Sequence, residues 1–154
     1  VGGAAMQKNL ETLGDIVYTE KEIDFALEMQ RNNGKPELGI DGIIRPLRET
    51  LESPGGGSTD SGDVSYNVPV VSLAATTAPK GVPWHSWSVV ASSGMSIGHK
   101  GMLHAAKALG MTMVDIFKDS KLREDIKKEF DEKIGEYEYD PYLDPGPPPI
   151  DYVD

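Results

Sequence analysis

The stretch from Met102 to Phe117, MLHAAKALGMTMVDIF, is the longest apolar-periodic element of the chain and constrains it most. Apolar residues returning every three or four positions specify a helix, and their density predicts one that is mostly buried. The rest of the chain must then supply surfaces to cover it. Upstream, Met6, Leu10 and Leu13 share a helical face, with Gly14 as the stop. In YTEKEIDFALEMQ, Thr19 followed by Glu22 predicts a capping box, and Ile23, Ala26, Leu27 and Gln30 line one face behind it. Downstream, Asp119 or Ser120 caps a last amphipathic helix carrying Leu122, Ile126 and Phe130.

Between these helices the pattern changes. Pro46 interrupts DGIIRPLRETL, and SPGGGSTDSGD reads as loop. VSYNVPVVSLAA is rich in β-branched residues and reads as a strand, with Pro69 placing it at an edge or a strand start; WSVVA reads as a second strand. Helix, loop, strand, strand, helix is an α/β order. Two or three strands are few for an independent sheet, so the expected architecture is a mixed sheet flanked by helices and incomplete on its own. Beyond Gly135, YEYDPYLDPGPPPIDYVD is too proline-rich for regular structure and predicts an extended tail laid along the surface by its tyrosines.

At 154 residues the chain is long enough for one domain with a hydrophobic core, and no run approaches the eighteen or so apolar residues of a membrane span. The net charge of −10 disfavours nucleic acid, whose phosphates demand Lys and Arg. Part of that charge is local: residues 136–154 hold six carboxylates and no Lys or Arg, as in a solvated tail. With no cysteine, disulfides and thiolate zinc sites are excluded, which fits a reducing cytoplasm. No signal peptide opens the sequence, and the first residue is not Met, which is read as the sign of a longer polypeptide.

All three histidines, His85, His99 and His104, fall in WHSWSVVASSGMSIGHKGMLHAAK. His99 and His104 are five apart, so they are not a metal pair on one helix face. His85 alone is too few ligands for zinc. Gly98, His99, Lys100 and Gly101 are placed just before a helix, where free N–H groups favour an anion such as a substrate carboxylate; an ordinary glycine-rich helix start explains them as well. Ser58, Thr59, Asp60 and Asp63 lie among glycines that let a ligand approach the backbone, or form a plain polar turn. His104 reads as a packed core histidine. Spacing alone leaves these alternatives open.

Three strings narrow them: LGDIVYTEKEIDFALEMQ, GSTDSGDVSYNVPVVSLAATTAPKGVPWHSWSV and SIGHKGMLHAAKALGMTMVDIF. Together they cover most of positions 6–118 and resemble the C-terminal third of a zinc-dependent amidohydrolase and peptidase family. That family includes aminoacylases and carboxypeptidases acting on folate-type glutamates, and the resemblance is closest to its p-aminobenzoyl-glutamate branch. The resemblance implies that residues 1–14 end a lid or dimerisation domain, 15–135 are the returning half of a catalytic domain, and 136–154 are tail. It implies a binuclear zinc site, or another divalent metal, to which this chain brings His85, with His99 as the rival ligand. His99 and Lys100 would meet the substrate, and Gly57, Ser58, Thr59 and Asp60 match the family's Gly-Ser-x-Asp loop at the rim. The implied substrate is a small amide or dipeptide, such as an N-acyl or aryl amino acid. Implied partners are the remainder of the catalytic domain and a second copy in a homo-oligomer. The bridging Asp, the general-base Glu and the other ligands have no counterpart here, so the chain alone is expected to be inactive; a noncatalytic remnant or interaction module is the alternative.

Overall fold

The computed structural model describes residues 1–48, 59–141 and 146–147. Six α-helices account for its regular structure: α1 (Gly2–Leu13), α2 (Glu20–Asn32), α3 (Ser61–Asn67), α4 (Trp87–Ser93), α5 (Ser96–Lys118) and α6 (Ser120–Ile134). No strand occurs among the described residues, so the expected α/β fold with a mixed sheet is overturned. The two segments read as strands explain why. WSVVA lies inside α4, because Ser88 and Ser92, one turn apart, form a buried face: Ser88 Oγ donates to Asn33 Oδ1 at 2.8 Å and Ser92 Oγ to the Ser88 carbonyl at 2.7 Å. VSYN belongs to α3, and from Pro69 onward the chain has no backbone ladder among the described residues until Lys80 donates to the Gly39 carbonyl. A β-branched sequence becomes a strand only when a neighbour accepts its hydrogen bonds.

The helix ends follow local chemistry. Thr19 and Glu22 form the capping box, Asp119 accepts from the Leu122 amide at 3.0 Å, and Gly14 closes α1 with φ 75°. Predicted loop residues 61–63 instead open α3, and the predicted loop residues 53–58 lie outside the described residues. In residues 136–140, Tyr137 and Tyr139 both lie against Tyr66.

α5 is the centre of the packing, touching α1, α4 and α6. Its buried residues Ile97, Gly101, Ala108 and Thr112 recur at helical spacing, and Thr112 meets Met6 and Asn9 of α1. Asn9 donates to Thr112 Oγ1 at 3.0 Å and to Asp115 Oδ2 at 2.8 Å. At Gly101 the helix passes so close to the Thr76 carbonyl that any Cβ would overlap it. The opposite face of α5 is apolar too, yet open: Met102, Leu103, Leu109, Met113, Val114 and Phe117 are all exposed, Phe117 by 76%. The expectation of a mostly buried helix therefore holds for one face only.

α2 is held to α5 by charge. Glu22, 8% exposed, accepts from Thr19 N at 2.7 Å, Ser96 Oγ at 2.5 Å and Lys100 Nζ at 2.6 Å. Burial pushes this carboxyl up, but the hydrogen bonds from Lys100, Ser96 and Thr19 outweigh burial and bring it down to about 2. Gln30, fully buried, secures the other end of α2 by bonding both backbone groups of Gly39 and the Lys80 carbonyl.

Two outcomes follow for stability. Gly101→Ala should destabilise the fold by about 2 kcal/mol in urea unfolding, since the new methyl meets backbone that cannot yield cheaply. Glu22 ionises in the folded chain at about 2 against an ordinary 4.5, so its contribution is complete above that ordinary value and is lost as pH falls toward 2. Glu22→Gln should therefore flatten the stability–pH slope in that acid window, followed by circular dichroism, and cost about 2 kcal/mol near neutrality.

Candidate functional site

His85 sits in the turn between Val82 and α4, exposed, between two tryptophans that are themselves exposed, Trp84 by 71% and Trp87 by 58%. It is the one non-glycine residue with positive φ, 60°, among the described residues. That left-handed conformation is uncommon for a side chain with a Cβ, although histidine adopts it more readily than most. The turn is closed by Ser86 Oγ, which donates to the Pro83 carbonyl at 2.5 Å. This bond and the start of α4 at Trp87 hold the imidazole out from the surface.

His99 and Lys100 do not precede the helix. α5 begins at Ser96, and the His99 amide already donates to the Met95 carbonyl at 3.0 Å. The amides near this helix start that lack an intrahelical acceptor are thus those of Ser96, Ile97 and Gly98, ahead of His99. The His99 side chain is exposed and shares a helix face with Ala106, Met113 and Phe117. Lys100 turns the other way. Its ammonium donates to Glu22 and, at 2.8 Å, to the Val17 carbonyl, and lies 5.5 Å from the centre of the Tyr18 ring. Burial, then the carboxylates of Glu22 and Asp41, push the Tyr18 phenol up to about 12. The neutral hydroxyl donates to the Thr76 carbonyl at 3.2 Å.

Thr59 and Asp60 are exposed at the start of α3, where Thr59 Oγ1 accepts from the Ser61 amide at 3.3 Å and Asp60 makes no side-chain cap bond. Ser58 and Gly57 lie outside the described residues. The candidate residues thus stand on separate elements: Thr59 and Asp60 before α3, His85 before α4, His99 and Lys100 about 100° apart around α5.

A cleft of about 800 Å³ opens elsewhere, between α1, residues 41–48, residues 72–82 and α5. Met6, Leu10 and Ile16 give it an apolar floor, and Trp84 and His104 stand at its wall. Asp41, beside Lys80, supplies charge; the Lys80 hydrogen bond holds its carboxyl below the ordinary range. His104 enters this cleft because it lies three residues after Gly101, on the face that turns toward residues 76–77. It is half-buried, in keeping with an inward-facing histidine, but it borders open space. The signal was present in the spacing of residues 97, 101, 104, 108 and 112, which share one face.

No helix among the described residues is long and apolar enough to cross a membrane. No protein-family model matches the chain, and no solved structure does. The chain is 39% identical over 149 residues to a p-aminobenzoyl-glutamate hydrolase subunit of Escherichia coli (strain K12), a match covering 81% of this chain and 31% of that protein. Through most of its own length, then, the chain is similar to a segment of an amidohydrolase polypeptide roughly three times as long.

Proposed function

We propose that the chain is the portion of a metal-dependent amidohydrolase that carries one metal-ligating histidine and part of the substrate wall. The substrate would be an N-acyl or aryl amino acid of the p-aminobenzoyl-glutamate kind. What supports this reading is the 39% identity to a protein named for hydrolysis of that compound. The matched segment is 31% of that protein, so the rest of the active centre would come from further polypeptide.

In this reading His85 is the metal ligand, displayed by its left-handed turn, and His99, Ser58, Thr59 and Asp60 serve the substrate. Lys100 has a different post: its ammonium is committed to Glu22 and Val17, so it anchors the start of α5 rather than reaching outward. Among the described residues no three His, Asp or Glu are grouped so that they could hold a metal ion. Zinc needs at least three protein ligands, so these residues do not form a zinc site by themselves, and no hydrolytic step is assigned to them. What His85 offers is a single imidazole held by a fixed turn, ready to be joined by other donors.

A second reading, a noncatalytic interaction module, draws on the open apolar face of α5. Met102, Met113 and Phe117 form a stripe of the kind that marks a protein–protein contact. The same stripe serves the first reading equally, as the surface that the remaining polypeptide would cover.

Zinc titrated into the isolated chain should reveal no stoichiometric tight site by calorimetry; a tight one-to-one site would contradict the single-ligand reading. In a longer polypeptide carrying this segment, His85→Ala should lower bound zinc and amide hydrolysis together, each by at least about tenfold. His99→Ala there should raise KM while leaving zinc content intact. The reverse pattern would exchange the roles of the two histidines, and a noncatalytic module would respond to neither substitution.

A further inference from the structure

α3 is too short to be stable by itself, since helices below about twelve residues are marginal in water. Its seven residues include none that is buried, and its N-cap Asp60 makes no side-chain cap bond. Among the described residues, Ser65 Oγ and Asn67 Nδ2 bond to carbonyls within the same helix, those of Gly62 and Asp63. Its aromatic contacts come from far along the chain. The Tyr66 ring lies 5.0 Å from that of Tyr137, tilted by 40°, and 6.2 Å from that of Tyr139, stacked at 19°. The Asp63 carboxylate beside the Tyr139 hydroxyl pushes that phenol upward.

We propose that residues 136–140 are a strap, in which the rings of Tyr137 and Tyr139 close on Tyr66 and fix α3 together with the Thr59–Asp60 loop that leads into it. The geometry stands on the three rings alone; the consequence, a substrate-facing loop held in place by the tail, rests on the reading of Thr59 and Asp60 above. The sequence of the strap suits the task. Tyr137 and Tyr139, two positions apart in a segment without helix, both bring their rings to Tyr66. Offset and tilted stacking at these separations is the favoured arrangement of aromatic pairs. Pro141 then prevents the tail from continuing as a helix. α6 ends at Ile134 with Gly135 at φ 59°, which turns the chain out of the helix and toward α3.

The chain has no cysteine, so a single spin label attached through Ser61→Cys reports on α3 alone, and one through Lys128→Cys on α6 serves as control. In the full 154-residue chain, Tyr137→Ala combined with Tyr139→Ala should raise the mobile fraction of the α3 label by about tenfold, the factor that two lost aromatic contacts would release. Tyr137→Phe combined with Tyr139→Phe keeps the rings and should leave the label immobile. The α6 label should not respond to either pair. An α3 label that stays immobile in the alanine pair overturns the strap, as does a control label that loosens equally. This measurement involves no substrate. If the label is released as expected, but Thr59→Ala and Asp60→Ala leave KM unchanged in the longer enzyme, the strap stands and the substrate role of the loop falls.

Discussion

The Glu22 carboxylate is the interaction on which the rest of the structure depends. One side chain closes the capping box that starts α2, accepts from Ser96 at the start of α5 and receives the Lys100 ammonium. Two helix beginnings far apart in sequence are thereby fixed to each other. The consequences run along α5. With its first turns located, Gly101 is set against the Thr76 carbonyl, which Tyr18 also holds through its hydroxyl. The segment at 76–77 therefore passes between α5 and the start of α2, and the cleft beside His104 takes its shape from that crossing. A part-buried ion pair is weak evidence of net stability, because desolvation offsets much of its attraction and Lys100 keeps 34% of its side chain in solvent. Here its value is positional: the Thr19 amide and hydroxyl, Ser96 and Lys100 all donate to one carboxylate, and the last two tie the start of α5 to that of α2.

The interior around this anchor is unusually polar. Among the described residues its buried apolar side chains are Met6, Ala26, Met29, Val82, Ile97 and Ala108, set among Asn9, Glu22, Gln30, Ser88, Ser92 and Thr112. No buried side-chain N or O among the described residues is left without a hydrogen-bond partner. Satisfied polar groups specify geometry well but contribute little net free energy each, whereas apolar burial supplies the bulk of folding stability. Meanwhile Met102, Leu103, Leu109, Met113, Val114 and Phe117 stay in contact with solvent on α5. A helix with apolar residues on two faces has more surface to bury than α1, α4 and α6 cover.

That imbalance explains which features were legible in the sequence. Helices were, because their signals are local: the Thr19–Glu22 box, the Asp119 cap and Gly14 all act within one turn of the residues that form them. Strands were not, because a strand is a relation between segments. Residues 68–75 carry β-branched side chains and alternate in exposure from Val70 to Ala75, yet the ladder that would define a strand is absent among the described residues. WSVVA went to helix because Ser88 and Ser92 make a buried face at helical spacing, a feature that its valines concealed. At the candidate site, the exposure of His85 and the inward aspect of His104 follow from neighbours, Ser86 in one case and Gly101 in the other. The role of Lys100 was hidden for a different reason: its partner Glu22 is 78 residues away.

His85 and His99 both project outward, one from a constrained turn and the other at the head of the open stripe on α5. An imidazole that binds metal or substrate must converge with other donors, and convergence requires surfaces on more than one side. The groups that do converge within the chain, around Glu22 and around Asn9, Thr112 and Asp115, take one another as hydrogen-bond partners. The two faces of α5 thus differ: the inner one packs against the rest of the described chain, while the outer one carries His99 and apolar side chains open to solvent.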